Sequence, residues 1–157
     1  MSHLKVIDLK NCNLKNIDFI RSLKNVTELN LSCNPIGLPG FLNCLTLTNL
    51  EKLELYNCEI KMDELSVPKE IEIAPLKYLN LSYNQISSDL PKLTQLETLV
   101  YCKMKRIPDI INFPNLKMID LSEHQMSADW LFDFILDVAD CCPFMETLML
   151  SSKIRSN

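Results

Sequence analysis

The chain has 157 residues, 47% of them apolar, with 16 basic and 20 acidic side chains and a formal net charge of −4. That length suits one domain or one unbroken repeat array, and the apolar share excludes a disordered chain. The mild acidity argues against a dedicated nucleic-acid surface, and no apolar run approaches the roughly 18–20 residues that span a bilayer.

The opening residues, MSHLKVIDLK, place Lys5 and Asp8 where a secretory signal needs an uninterrupted apolar core. An intracellular location, cytoplasmic or nuclear, with no membrane attachment is expected. The seven cysteines then read as reduced thiols. Gly37 and Gly40, in PIGLPG, are the only glycines, which excludes a glycine-dependent phosphate loop.

Taken in chain order, seven segments lie over one template. They are Leu4, Ile7, Leu9, Cys12, Leu14; Val26, Leu29, Leu31, Asn34, Ile36; Leu50, Leu53, Leu55, Cys58, Ile60; and Leu76, Leu79, Leu81, Asn84, Ile86. Then come Leu96, Leu99, Tyr101, Met104; Leu116, Ile119, Leu121, His124, Met126; and Met145, Leu148, Leu150. The alternation around the second and third columns has period two, so each segment predicts a short strand with one inward face.

The spacing L-x-x-L-x-L-x-x-N/C-x-L resembles the leucine-rich-repeat superfamily over almost the whole chain. The resemblance implies an α/β fold: a curved right-handed solenoid of about seven repeats with a parallel sheet on its concave face, as one domain over 1–157. It also implies a structural ladder after each strand, held here by Cys12, Asn34, Cys58, Asn84 and His124. Met104 and His124 depart from the asparagine or cysteine usual in that column, so the later turns are expected to be less regular.

Successive repeats start 22, 24, 26, 20, 20 and 29 residues apart. The first resembles the 22-residue type of protein-phosphatase regulatory subunits, whose returning segment is about one helical turn. The longest resembles the ribonuclease-inhibitor type. Its returning segment, Asp129 to Asp140, predicts a helix with Ser127 as N-cap, a stop at Pro143 and a wide apolar face from Trp130 to Val138. Pro75, Pro114 and Pro143 each precede a new strand, where extended backbone is needed. Leu4 begins a repeat almost at once and Leu150 is followed by seven residues, so both ends are expected to be uncapped. Open end strands could pair with a second copy or continue a longer array.

The template also names the outward, concave residues: the third, fifth and seventh positions of each repeat. Sixteen of these 21 are polar or tyrosine, so the face is solvated and chemically mixed. The expected partner-binding residues are Glu28, Asn30, Lys52, Glu54, Tyr56, Tyr78, Asn80, Tyr83, Thr98, Asp120 and Ser122. Tyr56, Tyr78 and Tyr83 are expected to cluster over the third and fourth turns. They read either as a binding hot spot or as ordinary surface tyrosines on a sheet.

Other groups carry less. Asp129, Asp133, Asp137 and Asp140 share one helix face, most simply a solvated convex face. Lys103, Lys105 and Arg106, with Lys117 nearby, form a short basic cluster or merely a charged loop. Cys12, Cys44 and Cys58 read as buried or ladder thiols, and no C-x-x-C pair suggests zinc. His3 and His124 have no nucleophile motif beside them, so neither catalytic residues, metal nor cofactor is expected. LEKLELYNCEI resembles a repeat of the acidic leucine-rich nuclear phosphoproteins, but SSKIRSN stands where that family has an acidic tail, and chaperoning of basic proteins is not expected. The resemblance implies a non-catalytic module that binds a protein partner, without a small-molecule substrate. The alternative is a regulatory or substrate-recognition piece of a phosphatase or ubiquitin-ligase assembly.

Overall fold

A computed structural model of the chain describes residues 3–62, 73–104, 106–124 and 126–151. Nine strands occur among them: β1 (Val6–Asp8), β2 (Glu28–Asn30), β3 (Lys52–Glu54), β4 (Lys61–Met62), β5 (Tyr78–Asn80), β6 (Gln85–Ile86), β7 (Thr98–Val100), β8 (Met118–Asp120) and β9 (Thr147–Met149). Seven form one parallel sheet in the order β1-β2-β3-β5-β7-β8-β9. The small pair β4-β6 is also parallel.

The sheet register follows the apolar period. Ile7, Leu29, Leu53, Leu79, Leu99, Ile119 and Leu148 stand directly opposite one another along the sheet. A one-residue slip would turn this whole column outward, so burial fixes the pairing. Leu29, Leu53, Leu79, Leu99 and Ile119 are fully buried, whereas Ile7 and Leu148, in the end strands, are only partly buried. The columns before and after this one, from Val26 to Leu116 and from Leu31 to Leu121, complete a continuous core. Each repeat therefore supplies a slice of core that only its neighbours can close.

The returning segments differ with repeat length. A 3₁₀ helix at Asp18–Ser22 serves the first repeat, and another at Ile110–Asn112 serves the fifth. The last returns through α2 (Ala128–Cys141), where the Ser127 hydroxyl accepts the Trp130 amide at 3.2 Å as the N-cap residue. A further helix, α1 (Gly37–Leu45), arises in the second repeat from a stretch whose glycines and prolines disguise it. Gly37 adopts φ +61° at its start, and Pro39 lies in its first turn, where no intrahelical amide is needed. At Gly40 an added Cβ would meet the Ile36 Cβ at 2.6 Å, so the close approach requires glycine.

The apolar face of α2 is only partly used. Phe134 and Val138 are buried, Trp130 packs against the core, and Phe132, Ile135 and Leu136 are exposed. Most of the exposed large apolar side chains lie toward the two ends of the sheet: Leu4, Val6 and Phe19 at one, and Phe132, Ile135, Leu136, Phe144 and Met149 at the other.

Position along the solenoid should govern mutational cost. Leu79→Ala, in a strand flanked on both sides, is expected to lose about 2–5 kcal/mol of stability through lost burial and a cavity. Leu148→Ala, in the end strand β9, should cost clearly less. Denaturant melts of both variants check the order, and equal costs would count against this register.

Candidate protein-binding face

Strand ends build the rim of the concave face. Asp8, Asn30, Asn80 and Asp120 point outward, and each uses Oδ1 to accept the amide two residues on, at 2.9–3.0 Å. These four carboxylate or carboxamide groups therefore close the strand as Asx turns. Val100 lacks such an oxygen, and there the Cys102 amide is accepted by the Ser82 hydroxyl of the preceding turn at 2.9 Å. The next residue in six successive turns (Asn11, Cys33, Asn57, Tyr83, Lys103 and Glu123) is left-handed, with φ between 52° and 67°. None is glycine, and each such conformation costs about 1–2 kcal/mol. What holds them is a second backbone ladder: the amide of each donates to a carbonyl of the following turn, as Tyr83 does to Cys102 at 3.0 Å.

Behind the rim, one side chain clamps two turns. Asn34 Oδ1 accepts the amides of Cys12 and Leu14 at 2.9 and 3.0 Å, and its Nδ2 donates to the Leu9 and Leu31 carbonyls at 2.8 Å. Asn84 does the same for Cys58 and Ile60 at 3.0 Å and for Leu55 and Leu81 at 2.8 Å. The cysteines between them have no such reach. The buried Cys58 thiol donates to the Leu31 carbonyl at 3.3 Å, and burial raises its pKa to about 11. Cys44 is buried as well, on α1, whereas Cys12 is exposed although its amide sits in the Asn34 clamp.

His124 overturns the expectation of irregular later turns. Its Nδ1 bonds the Leu121 carbonyl at 2.9 Å, and its Nε2 accepts the Met104 amide at 3.3 Å. The Nδ1–H tautomer thus reproduces two of the four bonds of the asparagine clamp. The ring also stacks on buried Tyr101, with centroids 6.5 Å apart and planes within 7°. Strands β5, β7 and β8 keep an unbroken register.

The predicted partner-binding residues divide into two groups. Glu28, Asn30, Lys52 and Glu54 line a depression of about 150 Å³ on the first three strands, with Asp8. Asp8 accepts from Asn30 Nδ2 at 3.1 Å, and Glu54 accepts from Asn80 Nδ2 at 2.9 Å. Lys52 lies 4.0 Å from Glu54 and 5.0 Å from the Tyr78 ring centroid. Burial, then the Glu54 carboxylate, pushes the Tyr78 hydroxyl well above its usual range. Thr98 and Asp120 continue this face, half-buried, on β7 and β8, and Ser122 follows β8.

Tyr56 and Tyr83 belong elsewhere. Their rings meet at 4.9 Å on the rim, where the Tyr83 hydroxyl donates to Glu123 at 2.7 Å and Lys103 sits 5.0 Å above the ring. The hydrogen bond to Glu123 is the main cause raising the Tyr83 pKa to about 12. The expected single tyrosine cluster is therefore two: Tyr78 on the sheet, and Tyr56 with Tyr83 at the strand exits.

The basic cluster also disperses. Lys117 lies before its strand and pairs with Glu97 at 2.8 Å, while Arg106 pairs with Asp89 at 3.1 Å. Lys105 lies outside the described residues. Of the four helix aspartates, Asp133 and Asp137 line a cavity between α2 and the 106–110 segment. No spacing in the sequence signals that cavity, because its two walls come from separate returning segments. Among the described residues no three His, Cys, Asp or Glu side chains converge as a metal site, and no helix is long and apolar enough to cross a membrane.

The clamp assignment makes a prediction about His124. His124→Leu leaves the buried Met104 amide and Leu121 carbonyl unpaired, and should cost about 1–3 kcal/mol for each orphaned group. His124→Asn restores a donor and an acceptor and should lose far less. Thermal melts of the two variants decide it, and equal losses would argue for simple packing.

Comparison with known proteins supports the repeat reading. A family model described as Leucine Rich repeat matches residues 22–41, and another described as Leucine Rich Repeat matches residues 75–96. No curated protein and no solved structure matches the chain. Leucine-rich repeats generally mediate protein–protein interaction and are typically non-catalytic. With seven parallel strands in the register that these repeats require, the chain belongs to the leucine-rich-repeat superfamily.

Proposed function

We propose that the chain is a non-catalytic interaction module that holds a partner protein on its concave face, centred on Tyr78. The observation that carries this reading is the local packing of that ring. Tyr78 is half-buried beside Lys52, with Glu54 and Asn80 bonded to each other at its flank. A tyrosine held this way offers apolar area and a hydroxyl while losing little side-chain freedom on binding. The polar strand positions around it supply the hydrogen-bonding rim common at protein interfaces. Acidic side chains outnumber basic ones at the outward positions, with Asp8, Glu28, Glu54 and Asp120 against Lys10 and Lys52. The face therefore favours a partner with donor-rich or cationic groups.

Tyr56 and Tyr83 extend this surface to the strand exits. Lys103 over the Tyr83 ring and Glu123 on its hydroxyl fix the ring from two sides.

Affinity capture with quantitative mass spectrometry tests the proposal. The wild-type chain is compared with a Tyr56→Ala, Glu54→Ala, Tyr78→Ala variant whose fold is checked by circular dichroism. Specific partners retained by the wild type should be lost from the variant by tenfold or more. Retention of every one at the wild-type level would contradict concave binding.

A further inference from the structure

A cavity of about 590 Å³ opens beyond the strand exits, between α2 and the segment 106–110. Its volume falls in the range of roughly 300–1,000 Å³ typical of ligand sites. Its apolar lining includes Ile110, Trp130 and Phe134, with the last two rings stacked at 4.8 Å and 18°. Phe134 is buried and Trp130 half-buried, so the indole presents part of its surface to the opening.

Above that floor stand three carboxylates. Asp133 and Asp137 are one helical turn apart on α2, and Asp109 faces them from the opposite wall. All three are exposed. Asp109 spends one oxygen on the Ile111 amide at 3.2 Å. Arg106 also lines the opening, but its guanidinium pairs with Asp89 at 3.1 Å. His124 contributes no spare polar atom, since both ring nitrogens meet backbone groups.

We infer that this groove receives a lysine- or arginine-bearing segment of another protein. Charge complementarity over an aromatic floor selects that occupant. A long cationic side chain buries its aliphatic stem against Trp130 and Ile110 while its charged head stays at the rim. There the head meets Asp133 and Asp137, and the indole face adds attraction for a cation. A neutral or acidic segment gains only the apolar contact, and an anion is repelled by all three aspartates. None of its lining residues lies on a strand of the sheet, so one chain can hold two partners, or two parts of one partner.

Trp130 is the only tryptophan, so its emission reports occupancy of the groove directly. The test titrates the 157-residue chain with an acetylated tetralysine amide and, separately, with its tetraglutamine analogue. Tetralysine should produce a saturable change in emission that weakens with added salt, and tetraglutamine should not. Asp133→Asn with Asp137→Asn should weaken tetralysine binding about tenfold. Asp137→Asn alone provides a milder second variant. Glu51→Gln with Glu59→Gln, which removes as much charge outside both the groove and the concave set, should leave binding unchanged. The inference fails if tetralysine gives no saturable change at millimolar concentration, if tetraglutamine matches it, or if the Glu51–Glu59 variant weakens binding as much as the groove variant.

Discussion

A backbone that turns sharply after every strand leaves amides and carbonyls in the core that cannot all pair with one another. Buried groups of this kind need a partner, and here side chains supply it. Asn34, Asn84 and His124 each reach back one turn and bind the backbone of a neighbour that cannot complete its own set. The turns are thereby joined in pairs: Cys12 with Asn34, Cys58 with Asn84, and Met104 with His124. Cysteine and methionine suffice in the first member of each pair because the acceptor comes from the second. Among the described residues every buried side-chain nitrogen and oxygen has a partner, so the arrangement closes without loss.

The same turns shape the candidate binding face. The left-handed residue after each strand exit is costly for Tyr83, Lys103 and Glu123, yet it sets all three on one rim, where they touch one another across turns. The clamps behind the rim and the backbone ladder along it hold that display rigid. Rigidity matters because association loses less entropy when the contacting side chains are already ordered. The outward asparagines and aspartates serve two purposes: one oxygen closes the strand, and further polar atoms link neighbouring turns, as Asn30 Nδ2 does to Asp8 and Asn80 Nδ2 does to Glu54.

Much of the fold was legible in the sequence because the apolar period and the strand register are the same constraint. Leu29, Leu53, Leu79 and Leu99 could occupy no other column without exposing the core. The helix Gly37–Leu45 was not legible, since its two glycines and Pro39 mimic a loop and only the positive φ of Gly37 and the tight contact at Gly40 reconcile them with a helix. The departure from asparagine or cysteine at His124 suggested irregular later turns because a residue template records identity, whereas the turn requires a donor and an acceptor at fixed reach. Tyr56 and Tyr78 were grouped because they lie in adjacent turns. They occupy opposite ends of the strand segment, however, four residues or roughly 13 Å apart along it. The groove at Trp130 left no sequence signal, since Asp109 and Asp133 meet only through the packing of two returning segments.

Hydrogen exchange on the backbone tests the clamp most directly. The Cys58 and Ile60 amides are held by Asn84, whereas the Leu31 and Tyr101 amides donate to strand carbonyls. In Asn84→Ala, Cys58 and Ile60 should lose protection by far more than Leu31 and Tyr101 do. Protection at Cys58 and Ile60 that falls no further than at those two strand amides would contradict the account, because the turns would then be held by packing rather than by the side-chain clamp.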